Sequence, residues 1–161
     1  MEGMLTSKAS LFLSKIFDVM SQMNCEVGSF DLDHICFRTN TIEEYQNIKQ
    51  ELLAENELLS ANEHNGREIS VFKLKRPISF EDRSIPVFEL PAPKDGCSYL
   101  SGYEHIEFVI PYTLRELVEN NPHLNFNIKN IDDDENPSVK LKFSCGVVKF
   151  HVKTLEEVVA Q

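Results

Sequence analysis

Three histidines and two glutamates fall where strand alternation would turn them toward one space. In DHICFR, residues 33–38, His34, Cys36 and Arg38 share a face and Ile35 and Phe37 oppose them. In EHIEFV, residues 104–109, His105 and Glu107 share a face opposite Ile106 and Phe108. VFELP, residues 87–91, sets Glu89 opposite Phe88 and Leu90, and VVKFHV, residues 147–152, sets Lys149 and His151 opposite Val148, Phe150 and Val152. If the sheet curves, these polar faces converge on one pocket. Imidazole nitrogens with a carboxylate suit a divalent transition metal, and zinc, nickel, iron and manganese all stay open. Each histidine also has a plain reading as a solvent-facing or hydrogen-bonded strand residue. Cys36 reads as a packed thiol, while Arg38 and Lys149 either bind an anion or pair with Glu89 and Glu107. His64 and His123 sit in turn contexts and read as surface residues.

The surrounding periodicity supplies the elements that position these residues. Phe12, Ile16, Phe17 and Met20 lie at helical spacing, which predicts an amphipathic helix over 5–23. SFDLDHICFRT reads as a strand, followed by a helix opening on Thr41-x-x-Glu44. Asn65-Gly66 marks a hairpin between two strands, and SIPVFELPAPK is a strand stopped by prolines. GCSYLSG connects to the strand GYEHIEFVI, then to the helix PYTLRELVENNP. NFNIKNI, SVKLKFS and VVKFHVK read as three short strands, with DDDENPS as a solvated turn that lacks the pattern of a calcium loop. TLEEVVAQ closes the chain on the capping box Thr154-x-x-Glu157.

The order is therefore helix, β-α-β-β-β, β-α-β-β-β. DHICF and EHIEF share acidic residue, His, Ile and Phe at the opening strand of each half, which indicates an internal repeat. The expectation is an α+β fold in a single domain over 1–161. It divides into an N-terminal helix unit at 1–28, a first βαβββ module at 29–95, and a second at 102–161 with the C-terminal helix.

The chain has 161 residues, 42% of them hydrophobic, a formal charge of −10 and a pI near 4.9. That balance argues against nucleic acid and against an anionic membrane surface as partners. No apolar run is long enough to span a bilayer, and the N-terminal stretch lacks a secretory-signal pattern. Four widely spaced cysteines predict free thiols in a reducing, cytoplasmic setting.

DHICFRT, NGREISVFKLKRPI, FELPAPK, GYEHIEFV and VKFHVKTLEEV together resemble the YecM family, within the vicinal oxygen chelate superfamily of glyoxalase I, bleomycin-resistance proteins and extradiol dioxygenases. The resemblance implies paired βαβββ modules forming a curved mixed sheet around a metal. Carried over, the ligands would be His34, Glu89, His105 and His151, with His151 standing where glyoxalase-type members commonly have Glu. It implies a metal-dependent enzyme acting on a small, oxygen-rich, anionic molecule by isomerase, epimerase or lyase chemistry, with ring-cleaving oxygenation less favoured. Glu107 is the candidate general base, although either Glu107 or Glu89 could be the carboxylate ligand, and Arg38 and Lys149 would hold the substrate. The alternatives are a non-catalytic module that sequesters a small molecule, and a scaffold with a merely solvated polar face. A monomer and a homodimer both fit.

Overall fold

The computed structural model describes residues 2–161; Met1, the first residue of the N-terminal unit, lies outside them. α1 (Glu2–Gln22) precedes a module of β1 (Asp31–Arg38), α2 (Ile42–Glu55), β2 (Glu57–His64), β3 (Arg67–Phe80) and β4 (Arg83–Pro91). A second module follows as β5 (Gly102–Val109), α3 (Leu114–Asn120), β6 (Val139–Phe143) and β7 (Gly146–His151), and α4 (Leu155–Val159) ends the chain. The strands form one seven-stranded sheet in the order β2-β3-β4-β1-β5-β7-β6.

The repeat is visible in this order. β1 and β5 are antiparallel neighbours at the centre, each flanked by the parallel closing strand of its own module, β4 and β7. A pseudo-two-fold axis between β1 and β5 thus relates the modules. Its match fails at one place. The expected strand NFNIKNI is reduced to a single bridge, Asn127 to Lys140. The Asn127 side chain instead accepts the Lys129 N–H, and Ile131 N–H bonds back to Ile128. Local turn bonding by asparagine has displaced the ladder there.

Local signals account for the other boundaries. Asn65 and Gly66 both adopt positive φ, 53° and 78°, as a two-residue hairpin turn requires. Thr113–Glu116 and Thr154–Glu157 form complete capping boxes. At α2 the Thr41 side chain accepts the Glu44 N–H, but Glu44 reaches back one residue further, to the Asn40 N–H.

One sheet face carries the core. Ile35, Phe37, Phe72, Phe88, Ile106, Phe108 and Phe150 pack with Leu13 and Ile16 of α1, Ile48 of α2 and Leu117 of α3. The alternate residues, among them His34, Glu89, His105, Glu107 and His151, face the other way. Gly146 permits a close approach at the start of β7: a Cβ there would lie 2.7 Å from the Phe12 ring and 2.9 Å from the Glu104 carbonyl. Gly146→Ala is therefore expected to lower stability by about 1–3 kcal/mol in a urea melt, because the backbone contact cannot rotate away. No helix among the described residues is long and apolar enough to cross a membrane.

Candidate functional site

The site is built on the two central strands. Across the β1–β5 ladder His34 stands opposite Glu107, and Cys36 stands opposite His105. The parallel partners add Glu89 beside Cys36 and Lys149 beside Glu107. His151 follows two residues after Lys149 on the same face.

The ladder slips twice, once between Leu32 and His34 and once between Cys36 and Phe37. The residue left over is Asp33 at the first slip and Glu104 at the second. Each is the acidic residue that precedes a histidine in the repeated string. A β-bulge re-aims its extra side chain, and both carboxylates are turned onto the following imidazole. Asp33 Oδ2 accepts from His34 Nδ1 at 2.7 Å, and Glu104 Oε2 is bonded to His105 Nδ1. Asn136 Oδ1 pairs with His151 Nδ1 at 2.9 Å. All three rings thus have Nδ1 engaged by an oxygen, which turns Nε2 toward the site, where His105 Nε2 also meets Lys149 Nζ at 3.3 Å.

Glu107 lies among these Nε2 atoms. Its Oε1 is 3.4 Å from Nε2 of both His34 and His105 and 3.0 Å from Lys149 Nζ, while its Oε2 is 2.6 Å from His151 Nε2. Glu89 reaches His105 Nε2 at 3.6 Å and His34 Nε2 at 3.8 Å. Nε2 of His34 and of His151 is buried without an aligned hydrogen bond. Among the described residues, two sets offer ligand atoms within 4.8 Å of one another: His34, His105 and Glu107, and Cys36, Glu89 and His105.

Charges of both signs are buried here. Burial favours neutral His34, but Glu107, Asp33 and Glu89 outweigh it and carry its pKa to about 10. Burial and Lys149 both oppose the imidazolium of His105, and Glu104, Glu107 and Glu89 still raise it. Burial would raise the Glu107 carboxyl, yet His34 and Lys149 hold it well below the usual carboxylate range. Glu89 is likewise lowered against burial, by His105, His34 and Lys149. Glu104 is brought to about 2 against burial, through its bond to His105.

The structure therefore gathers His34, Glu89, His105 and Glu107, and it sets His151 and Lys149 against Glu107. Of the two roles open to Lys149 it shows the ion pair with Glu107. Arg38 lies instead with its guanidinium 4.2 Å over the Tyr99 ring, its Nε buried without a partner. Tyr99 is steadied by the Lys94 N–H at 3.0 Å and by Arg67 at 3.4 Å, so the connection GCSYLSG forms one wall of the Arg38 environment. His64 and His123 are exposed, as their turn contexts predicted. Periodicity alone did not point to Asp33, Glu104, Asn136 or Tyr99. For the first two the signal was present in the repeat, whose acidic position takes its role from the bulges.

The paired-module sheet that the resemblance implied is present, with the polar residues of both modules on one face. The chain belongs to the YecM protein family, with the match running over residues 2–161. An uncharacterised protein of Haemophilus influenzae is 31% identical over 71% of this chain and 60% of its own length. Protein YecM of Escherichia coli is 29% identical over 66% of this chain and 57% of its own length. The chain thus spans about three fifths of these curated relatives. Among solved structures, a structural-genomics protein, EC4020, superposes with a TM-score of 0.83 at 26% identity, covering 97% of this chain and 90% of that one. A Streptomyces coelicolor methylmalonyl-CoA epimerase variant, in complex with 2-nitronate-propionyl-CoA, shares the fold at a TM-score of 0.54 and 11% identity, covering 76% of this chain and 97% of that one.

Proposed function

We propose that this protein is a metal-dependent enzyme that moves a proton on a small, oxygen-rich anionic molecule, as an isomerase, epimerase or lyase. The observation that carries the reading is the set of three imidazoles with Nδ1 occupied and Nε2 turned inward, that of His34 buried without an aligned hydrogen bond. That donor set, with carboxylate oxygens beside it, fits a divalent transition ion. His34, His105 and Glu89 would hold the ion. His151, the remaining nitrogen donor on this face, braces Glu107 from β7.

What a bound ion supplies there is Lewis acidity toward substrate oxygens. The chain's own groups do the rest. Glu107 is kept ionised by His34 and Lys149, which also weakens it as a base; its carboxylate would take a substrate proton once His34 has given up its own proton to serve as a ligand. Lys149 and His151 hold that carboxylate in place at 3.0 and 2.6 Å. Arg38 lies four residues along β1 from His34 on the same face, about 13 Å away at strand rise, where it can receive the substrate's anionic end. Epimerase chemistry also agrees with the methylmalonyl-CoA epimerase that shares the fold.

Metal content of protein purified without chelator tests the reading. Stoichiometric zinc, nickel, iron or manganese is expected, and His105→Ala should lose it while the far-UV spectrum is kept. Protein that neither carries nor takes up any of these ions would overturn it. Ligand-induced stabilisation without turnover would favour a sequestering module instead.

A further inference from the structure

Cys36 has no part in the scheme above, yet its position mirrors that of Glu107. Across the central ladder Glu107 faces His34 and Cys36 faces His105. The pseudo-two-fold axis that exchanges the two histidines also exchanges the thiol and the carboxylate. Cys36 is 2% exposed and, unlike Ile35 and Phe37, lies outside the helix-packed core. Its sulfur falls with Glu89 and His105 in a set whose ligand atoms are all within 4.8 Å. Beside that set is His34, 1% exposed, whose Nε2 has no aligned hydrogen bond and lies 3.8 Å from Glu89.

We propose that Cys36 is a metal ligand, completing a set of one sulfur, two nitrogens and one oxygen with His34, His105 and Glu89. The inference rests on the metal-binding reading and sharpens it, because it adds a sulfur donor to the nitrogen and oxygen donors of that reading. On binding, the thiol proton leaves to solvent and the thiolate takes the ion. A set containing sulfur selects a borderline-soft ion. Zinc is then the resident metal, and manganese, which prefers harder donors, binds weakly.

Cobalt(II) is the probe, because a thiolate ligand gives a near-ultraviolet sulfur-to-cobalt charge-transfer band that nitrogen and oxygen ligands do not. Titrating chelator-stripped protein with cobalt should produce the band in stoichiometric amount. Cys36→Ser should abolish it and weaken zinc at least about tenfold, with manganese binding little changed. A variant with Cys25→Ala, Cys97→Ser and Cys145→Ser retains Cys36 as its only cysteine and should keep the band, which maintains the test if Cys36→Ser fails to fold. Stoichiometric cobalt without the band, or a band that survives Cys36→Ser, overturns the role of Cys36 and leaves the metal reading standing. Absence of cobalt, zinc and manganese binding overturns both.

Discussion

Glu107→Ala in chelator-stripped protein is expected to lower stability by about 3–5 kcal/mol, the range for removing one partner of a buried ion pair. The reason is what the change leaves behind. His34 and His105 both have raised pKa values, and Lys149 is also raised despite its burial, so all three lean on negative charge nearby. Glu107 is the carboxylate that meets His34, His105, His151 and Lys149 together. Removing it takes away the largest attractive charge on the buried Lys149 ammonium and leaves that ammonium beside imidazoles. Glu107→Leu combined with Lys149→Met removes both charges and should cost clearly less than the sum of Glu107→Leu alone and Lys149→Met alone. Urea melts of the four proteins give the coupling. Additive costs would mean that the pair is not coupled and that the contact is incidental. Under the proposed function, Glu107→Gln also abolishes turnover while leaving metal content intact.

The second large effect is in the pH dependence of stability, again after chelation. His34 is raised from 6.5 to about 10, so its stabilisation is complete below about pH 6.5 and is lost as pH climbs through about 10. A tenfold change in a proton-binding equilibrium is worth about 1.4 kcal/mol, which makes that loss on the order of 5 kcal/mol. Glu104 is lowered from 4.5 to about 2, so its stabilisation is present above about 4.5 and disappears as pH falls toward 2. Maximum stability is therefore expected between about pH 4.5 and 6.5. His34→Ala should reduce the alkaline limb, leaving the part due to His105, and shorten the acid limb, since His34 also holds Glu107 and Glu89 low. Loading zinc should flatten the alkaline limb in the unchanged protein and release protons at about pH 8, since a ligating imidazole must give up the proton that Glu107 and Asp33 stabilise. Melting temperatures across pH, and calorimetry in buffers of different ionisation enthalpy, check both statements.

Much of this was legible along the chain because it depends on period. A two-residue alternation separates Ile35 and Phe37 from His34 and Cys36 whatever the strand pairs with. The helix starts at Thr41 and Thr154, and the turn at Asn65-Gly66, rest on local hydrogen bonds that a few adjacent residues supply. NFNIKNI is the exception. It has the alternation of a strand, but Asn127 satisfies a neighbouring N–H by itself, and the strand pairing contracts to one bridge.

Residue order was enough to establish that imidazoles and carboxylates share a face and that the face occurs twice. It left open which of them meet. Register decided that, because a ladder joins residues far apart in the chain, and only the pairing of β1 with β5 sets His34 against Glu107 and Cys36 against His105. The two bulges in that ladder explain the acidic residue before each histidine, since without the extra residue Asp33 and Glu104 would point into the apolar core face. GYEHIEFVI and DHICFR each carried half of the site, and the antiparallel contact between them makes it one.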